Sequence, residues 1–265
     1  MSEGASRETS HAAAARLIGE TWLREHAGHK RPAPPTVQQL QQRVDSVRQR
    51  SRSACLDAHR HPGEVTLVAV SKTRTVEEVR RATVAGVTDF GENYLQEAEP
   101  KLRELAGLGL TWHFVGRVQS NKARGIARSF DWVHTVDSDK VADRLDRARS
   151  DCRGRQPLQV CIQVNVDREP RKAGVVPDDL QTLVQHAAGL KHVHLRGLMA
   201  LPRPGQGSDV ANSFKRVASL FEEMRETAGP HWDTLSMGMS DDYCQAIACG
   251  ATSIRIGTAI FGPRP

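Results

Sequence analysis

The stretch TLVAVSKTRTVEEVRRA, residues 66–82, decides the fold class that we predict for this chain. An apolar, β-forming run leads to Ser71-Lys72-Thr73, and a helical pattern begins at once. A strand that passes directly into a helix is the repeating unit of parallel sheets with helical crossovers. A lysine at the end of a buried strand is costly unless its amine is used there.

The same strand–helix alternation continues to the end of the chain. Eight strands within roughly 230 residues fit a single closed (β/α)8 barrel of the TIM type. A doubly wound open sheet is the alternative, but its G-x-G-x-x-G fingerprint is absent, as is a P-loop. The candidate strands are 66–72, 87–93, 111–116, 132–137, 159–166, 193–200, 234–238 and 253–258.

The N-terminal segment differs from the rest. Residues 1–35 are predicted to be a separate helical arm that ends in the proline-rich linker 31–35, and residues 36–265 are assigned to the barrel. The first thirty residues contain no signal-peptide core, and several glutamates there argue against a transit peptide. No apolar run approaches the ~20 residues of a membrane span. We therefore expect a cytoplasmic protein with no membrane partner.

Charge and cysteine content exclude several function classes. The net charge is +6, and a basic stretch at 43–52 is either a nucleic-acid footprint or a solvated helix face. No aromatic residues interleave with it, so we favour the solvated face and expect no nucleic-acid partner. The five cysteines form no CxxC pair, so neither a zinc site nor a disulfide framework is predicted. A mild positive charge suits a small anionic ligand.

Alternation along the first strand places Lys72 on the same face as Thr66, Val68 and Val70. Active sites of such barrels lie at the carboxyl ends of the strands. If this face points inward, desolvation at the barrel mouth favours the neutral amine, which attacks carbonyl groups. A lysine that merely extends to water from a strand end is the competing interpretation.

The last two turns favour a functional lysine. In LSMGMSDDY (235–243), Gly238 permits close backbone approach and Ser240 stands where a helix is expected to begin. In RIGTAIFG (255–262), Gly257 and Thr258 repeat that arrangement. The loops after strands seven and eight of such barrels often bind phosphate. The barrel mouth is therefore predicted to combine an amine with a phosphate site.

Pyridoxal 5′-phosphate (PLP) fits both features, because its aldehyde forms an imine with lysine and its phosphate needs an anion site. The sugar-phosphate substrate of a lysine aldolase fits them as well. Arg255 shares a strand face with Ser253 and Gly257, so it can point into the same mouth. Beside a pyridine nitrogen, a guanidinium donates a hydrogen bond and opposes ring protonation. The alternative role for Arg255 is a structural ion pair.

Six blocks of sequence resemble the pyridoxal phosphate homeostasis protein family: VAVSKT, FGENYLQEA, WHFVGRVQSNK, LRGLMALP, LSMGMSDDYCQAI and SIRIGTAIFG. They occur in collinear order over about residues 40–262. The resemblance implies a barrel similar to the N-terminal domain of alanine racemase. It also implies a role in PLP and vitamin B6 homeostasis, by binding PLP and delivering it to PLP-requiring apo-enzymes, rather than robust catalysis.

The same resemblance assigns the cofactor site. It implies a Schiff base between PLP and Lys72, a pyridine nitrogen facing Arg255, and cofactor contacts from the residues Asn93, Met199, Ser240, Gly257 and Thr258. A PLP-dependent racemase is the alternative function. Racemisation normally needs an acid on each face of the substrate, and both tyrosines, Tyr94 and Tyr243, are better explained as packing groups. We expect a monomer with no catalytic residues and weak activity at most.

Overall fold

Eight parallel strands close into a barrel in the computed structural model, which describes residues 33–203 and 208–263. The strands follow chain order, and the first pairs with both the second and the eighth. The predicted TIM-type (β/α)8 barrel is confirmed. The predicted arm, residues 1–35, lies outside the described residues except for its last three, so that assignment stays a prediction.

The strands are β1 Thr66–Val70, β2 Asp89–Glu92, β3 Thr111–Phe114, β4 Trp132–Val136, β5 Leu158–Val164, β6 Val193–Ala200, β7 Thr234–Ser236 and β8 Ser253–Ile256. The helices are α1 Val37–Asp57, α2 Val76–Val84, α3 Leu95–Glu104, α4 Ala123–Ser129, α5 Asp139–Ser150, α6 Leu180–Ala188, α7 Ser208–Glu223, α8 Arg225–Ala228, α9 Tyr243–Ala248 and α10 Thr258–Phe261. Short 3₁₀ turns occupy Pro62–Glu64 and Pro177–Asp179.

Helix α1 precedes the first strand and packs on the outside of the barrel. Thr36 caps it, and Gln39 completes a capping box by accepting from the Thr36 backbone N–H. Its apolar face, spaced at three or four residues, is buried against the barrel. The buried apolar residues of this face are Leu40, Val44, Val47, Ala54 and Cys55.

The basic stretch of α1 does more than face solvent. Arg43 and Arg48 donate to the carbonyl oxygens of Ile260 and Gly86 at 3.2 and 2.7 Å. Arg50 lies 5.3 Å above the ring of the buried tyrosine of α9. Three of the basic side chains therefore also fasten the first helix to the barrel, while Arg48, Arg50 and Arg52 remain exposed, as expected of a solvated face.

Except for β6, which ends at Ala200 as predicted, the observed strands end earlier than their sequence patterns indicate. β1 ends at Val70, so Lys72 lies two residues beyond it, and β7 ends at Ser236 rather than Gly238. The regular strands stop where the chain turns over the barrel rim, and the residues expected to bind ligands belong to these turns. Over residues 33–203 and 208–263, no helix is both long and apolar enough to cross a membrane.

Candidate functional site

All seven site residues predicted from sequence line one cavity of about 270 Å³ at the carboxyl ends of the strands. These residues are Lys72, Asn93, Met199, Ser240, Arg255, Gly257 and Thr258. The cavity brings β1 and β2 together with β6, β8 and the turn after β7. The structure thus gathers side chains that are up to 186 residues apart in sequence, counted from Lys72 to Thr258.

A tight turn positions Lys72. The N–H of Arg74 donates to the carbonyl oxygen of Ser71 at 3.0 Å, and the intervening Thr73 has a φ of 65°. This left-handed conformation is unfavourable for a β-branched residue. The Thr73 N–H donates to a carboxylate oxygen of Glu97 at 3.0 Å, which helps to hold it. A strained and anchored turn therefore carries the amine at the cavity wall.

Behind this turn lies a buried ion pair. Lys101 donates to Glu92 at 2.7 Å and to the Ser71 carbonyl oxygen at 2.8 Å. The Ser71 hydroxyl donates to the same Glu92 oxygen. Burial raises the pKa of Glu92, while Lys101 and Ser71 act to lower it. Because Glu92 turns away from the cavity, its contacts with Ser71 support the Lys72 turn from outside.

Arg255 is fully buried in the barrel, and neutral groups accept its hydrogen bonds. It donates to the Ser236 hydroxyl oxygen at 2.6 Å and to the Ala200 carbonyl oxygen at 3.0 Å. Burial lowers its pKa to about 10, so it stays protonated at neutral pH. Among the described residues no carboxylate forms an ion pair with it, so the structure does not favour the structural ion pair that we considered.

The turns after β7 and β8 are joined to each other. The N–H of Ala259 in α10 donates to the Ser240 hydroxyl oxygen at 3.2 Å. Thr258 begins α10 as expected, but α9 begins at Tyr243, three residues later than the start expected at Ser240. The intervening residues form a turn in which the Met239 N–H donates to the Asp242 carboxylate at 2.6 Å. The prediction of a helix N-terminus at Ser240 is therefore wrong, although Ser240 does line the cavity.

The physical requirement for glycine differs between these two turns. Gly238 has a φ of 95°, and a Cβ there would lie 2.7 Å from the Cβ of Ala246 and 2.9 Å from the Cα of Tyr243. It is required by packing against α9 rather than by approach of a ligand. A Cβ on Gly257 would meet its nearest atom, the Val70 carbonyl oxygen, at an ordinary 3.5 Å. Protein packing alone therefore does not require glycine at 257.

This contrast gives a prediction. Gly257→Ala is expected to change the free energy of unfolding of the ligand-free protein by less than about 1 kcal/mol, since the methyl group meets ordinary contacts. It should weaken phosphate-ester binding roughly tenfold, because the methyl occupies space beside the anion. Urea unfolding and a PLP titration measure the two effects. Gly238→Ala is the matched control and should lose about 1–3 kcal/mol of stability. A stable Gly257→Ala variant with unchanged affinity would contradict the prediction.

A buried polar atom in the cavity wall lacks a protein partner. The side-chain oxygen Oδ1 of Asn93 is buried and accepts no hydrogen bond among the described residues. Such atoms are rare in native proteins and usually meet water or a ligand. The backbone of Asn93 lies close against the turn after β3, since a Cβ on Gly116 would lie 2.0 Å from the Asn93 carbonyl oxygen. The fold therefore holds an unsatisfied acceptor within a residue of the cavity wall.

Several cavity residues escaped the sequence reasoning. They are Val70, Arg74, Val115, Leu201, Met239, Asp241 and Gly262. Arg74 could have been predicted from sequence, since it lies in the same turn as Lys72. Its guanidinium donates to the carbonyl oxygens of Gly262 and Pro263, both at 2.7 Å. The apolar members gave no signal because inward-facing aliphatic residues are found in every barrel strand. They supply apolar surface to the cavity wall.

Comparison with known proteins decides the family. The model of the alanine racemase N-terminal domain matches residues 38–265. The pyridoxal phosphate homeostasis protein of Pseudomonas aeruginosa is 48% identical over 226 residues, which cover 85% of this chain and 96% of the relative. The chain belongs to the pyridoxal phosphate homeostasis protein family. The Escherichia coli K12 family member is 45% identical over 224 residues, covering 82% of this chain and 94% of the relative.

Two solved structures share this architecture. PipY of Synechococcus elongatus, solved with PLP bound, superposes with a TM-score of 0.74 at 38% identity and covers 84% of this chain and 100% of PipY. Alanine racemase from Corynebacterium glutamicum has a TM-score of 0.59 at 16% identity and covers 83% of this chain and 62% of the racemase. The racemase likeness shows a shared barrel fold only.

Proposed function

We propose that this protein binds PLP as a Schiff base on Lys72 and acts in intracellular PLP homeostasis rather than as a robust catalyst. The observation that carries the proposal is a single cavity that contains an amine, a buried guanidinium and two linked polar turns. The PLP-bound PipY structure and the names of the curated relatives support it. When bound, PLP supplies an aldehyde for imine formation and a conjugated ring that withdraws electrons.

The size and wall chemistry of the cavity suit this cofactor. Its volume of about 270 Å³ lies just below the usual ligand-pocket range of ~300–1,000 Å³, which suits a small cofactor. The Ser240 hydroxyl, the Thr258 hydroxyl and the backbone beside Gly257 would hold the phosphate. The hydrogen bond from the Ala259 N–H to the Ser240 hydroxyl oxygen places that hydroxyl beside the start of α10, which supports an anion site shared by both turns.

The remaining wall residues match the ring. Arg255 keeps its positive charge and has N–H groups beyond the two that are already bonded, so it would donate to the ring nitrogen. The unsatisfied oxygen of Asn93 would accept from a hydroxyl group on the ring. Met199 and Val115 would contact the ring faces. Each polar part of PLP thus has a partner of matching chemistry in this wall.

The arrangement disfavours the racemase alternative. The chain contains two tyrosines, and neither lines the cavity. Tyr243 is 1% exposed and lies beneath Arg50 on the helical side. Tyr94 precedes α3 and is 56% exposed. Two-face proton transfer therefore lacks the tyrosine acid that a racemase-like barrel would use, and this supports binding over catalysis.

The experiment that tests the proposal is borohydride reduction of the purified, PLP-loaded protein followed by intact-mass and peptide analysis. The expected result is one phosphopyridoxyl adduct per chain, located at Lys72. The protein should also be yellow before reduction and lose its imine absorption with hydroxylamine. A colourless protein, as a lysine aldolase predicts, or an adduct at another lysine would overturn the proposal.

We also propose that the protein is a cytoplasmic monomer that releases PLP to PLP-requiring apo-enzymes. The large apolar side chains most exposed among the described residues come from separate segments, and this scattering supports a monomer. They are Leu56, Val84, Tyr94, Leu108 and Met239. Light scattering measures the oligomeric state, and reactivation of an apo-enzyme by the loaded protein in the presence of a scavenger of free PLP measures direct transfer.

A further inference from the structure

A continuous chain of hydrogen bonds runs through the barrel interior from Arg255 to the opposite end. Arg255 donates to the Ser236 hydroxyl at 2.6 Å, and that hydroxyl lies 2.8 Å from Nδ1 of His134. Nε2 of His134 lies 3.0 Å from Nδ1 of His113. Nε2 of His113 lies 3.0 Å from a carboxylate oxygen of Asp89. Each member comes from a different strand: Arg255 from β8, Ser236 from β7, His134 from β4, His113 from β3 and Asp89 from the start of β2.

The carboxylate end sets the direction of the bonds when both rings are neutral. An ionised carboxylate accepts only, so Nε2–H of His113 donates to Asp89. Nδ1 of neutral His113 then accepts from Nε2–H of His134. Nδ1 of His134 accepts the proton of the Ser236 hydroxyl, whose oxygen accepts from Arg255. This chain of hydrogen bonds therefore requires the Nε2–H tautomer of both histidines.

Burial favours the neutral form of His134, which lies between the two charged ends of the chain. His134 is fully buried, and burial, His113 and Arg255 all lower its pKa. Burial alone would raise the pKa of Asp89, but hydrogen bonds from His113 and Thr88 outweigh that effect and lower it. Arg255 has no direct carboxylate partner among the described residues, so Asp89 is connected to it through three neutral side chains.

We propose that Ser236, His134 and His113 form a one-directional hydrogen-bond relay that positions Arg255 against the ring nitrogen of bound PLP. The inference deepens the proposed function and rests on it. Each relay member is a positioning residue, since none lines the PLP cavity. The relay holds one guanidinium N–H on Ser236, which directs the remaining donors toward the cavity and prevents the buried cation from rotating.

The neighbouring strands provide a matched control. Ser236 and Ser253 are direct partners in the β7–β8 ladder, and both are buried. The Ser236 hydroxyl belongs to the relay, whereas the Ser253 hydroxyl has no hydrogen-bond partner among the described residues. Ser236→Ala and Ser253→Ala therefore make the same chemical change at adjacent positions, with and without loss of the relay.

The test compares these two variants in the full chain. Ser236→Ala should raise the PLP dissociation constant roughly tenfold, the effect of losing one hydrogen bond to a charged group. It should also shift the absorption maximum of bound PLP, because the donor to the ring nitrogen moves. His134→Leu should shift that maximum in the same direction. Ser253→Ala should match the wild-type spectrum and affinity.

A second measurement needs no variant and no cofactor. A long-range proton–nitrogen correlation spectrum of the histidine-labelled protein at neutral pH should show His113 and His134 both protonated on Nε2 only. Either Nδ1–H tautomer, or a doubly protonated ring, would overturn the relay. Unchanged spectrum and affinity in Ser236→Ala, with the Lys72 adduct present in the wild type, would overturn the positioning role alone. Absence of that adduct would overturn the proposed function together with this role.

Discussion

Replacing Lys72 with alanine is expected to abolish covalent attachment of PLP and to weaken its binding on the order of 100-fold, since the imine and a cationic group are lost together. The variant should be colourless after dialysis, and borohydride should leave no adduct on the barrel. Absorption spectra, a PLP titration and intact mass after reduction measure these effects. Folding should be retained, because Lys72 lies in a turn at the barrel mouth rather than in the core.

The control for this experiment is Lys140→Ala, which removes an exposed lysine from α5. It should match the wild type in colour, affinity and adduct mass. The assignment of Lys72 would fail if Lys72→Ala kept the same absorption band. It would also fail if the band vanished equally in both variants, since the loss would then reflect general lysine chemistry.

The second large effect concerns stability. Lys101→Met is expected to lower the free energy of unfolding by about 3–5 kcal/mol, because it leaves the buried carboxylate of Glu92 without its cation. Glu92 is 0% exposed and Lys101 is 3% exposed. Urea unfolding followed by fluorescence provides the measurement. The substitution should also disturb the turn that carries Lys72, because Lys101 donates to the carbonyl oxygen of the neighbouring Ser71.

The pH dependence of this variant has a definite sign. The folded-state pKa of Glu92 is already raised by burial, and Lys101 is the leading group that opposes the rise. Without it the pKa rises further, so the folded state holds the proton more tightly than the unfolded chain does. The resulting stability is present below the unfolded-state pKa and is lost as pH rises through the folded-state pKa. The deficit of Lys101→Met should therefore be larger at pH 8 than at pH 5.

Two comparison variants make this prediction specific. Arg225→Met removes one partner of an exposed pair with Glu222 and should cost less than about 1 kcal/mol. The double variant Glu92→Leu/Lys101→Met removes both buried charges and should recover much of the lost stability. If the double variant were no more stable than Lys101→Met, an unpaired buried carboxylate could not be the cause.

Sequence patterns carried enough information to predict the barrel and the location of the site. Alternation along the strands predicted that Lys72 and Arg255 lie on inward faces. Active sites of such barrels lie at the carboxyl ends of the strands, so both side chains were expected at the same end of the barrel. This expectation needs only the direction of each strand. The roles of the turn residues were harder to predict. Gly238 was expected to admit a ligand, but its partner is α9, a contact that depends on how the turn packs in three dimensions.

The relay could not be predicted from sequence. His113 is 3% exposed, and both of its ring nitrogens are hydrogen-bonded. Its partner His134 and the link through Ser236 depend on which strands face each other across the closed barrel. The β4–β5 and β5–β6 ladders contain irregularities that shift the register. Periodicity gives the face of a side chain but not its height along the barrel axis relative to a distant strand.

The pairing of β1 with β8, in which Val68 lies opposite Arg255, closes the barrel and also joins the two halves of the site. Lys72 emerges early during synthesis, and the turns after β7 and β8, which we propose to hold the phosphate, emerge late. A growing polypeptide on the ribosome therefore holds only part of the proposed site. Cofactor capture thus coincides with the final, most non-local step of folding. Acquisition of colour during translation would consequently report that the last strand has joined the first.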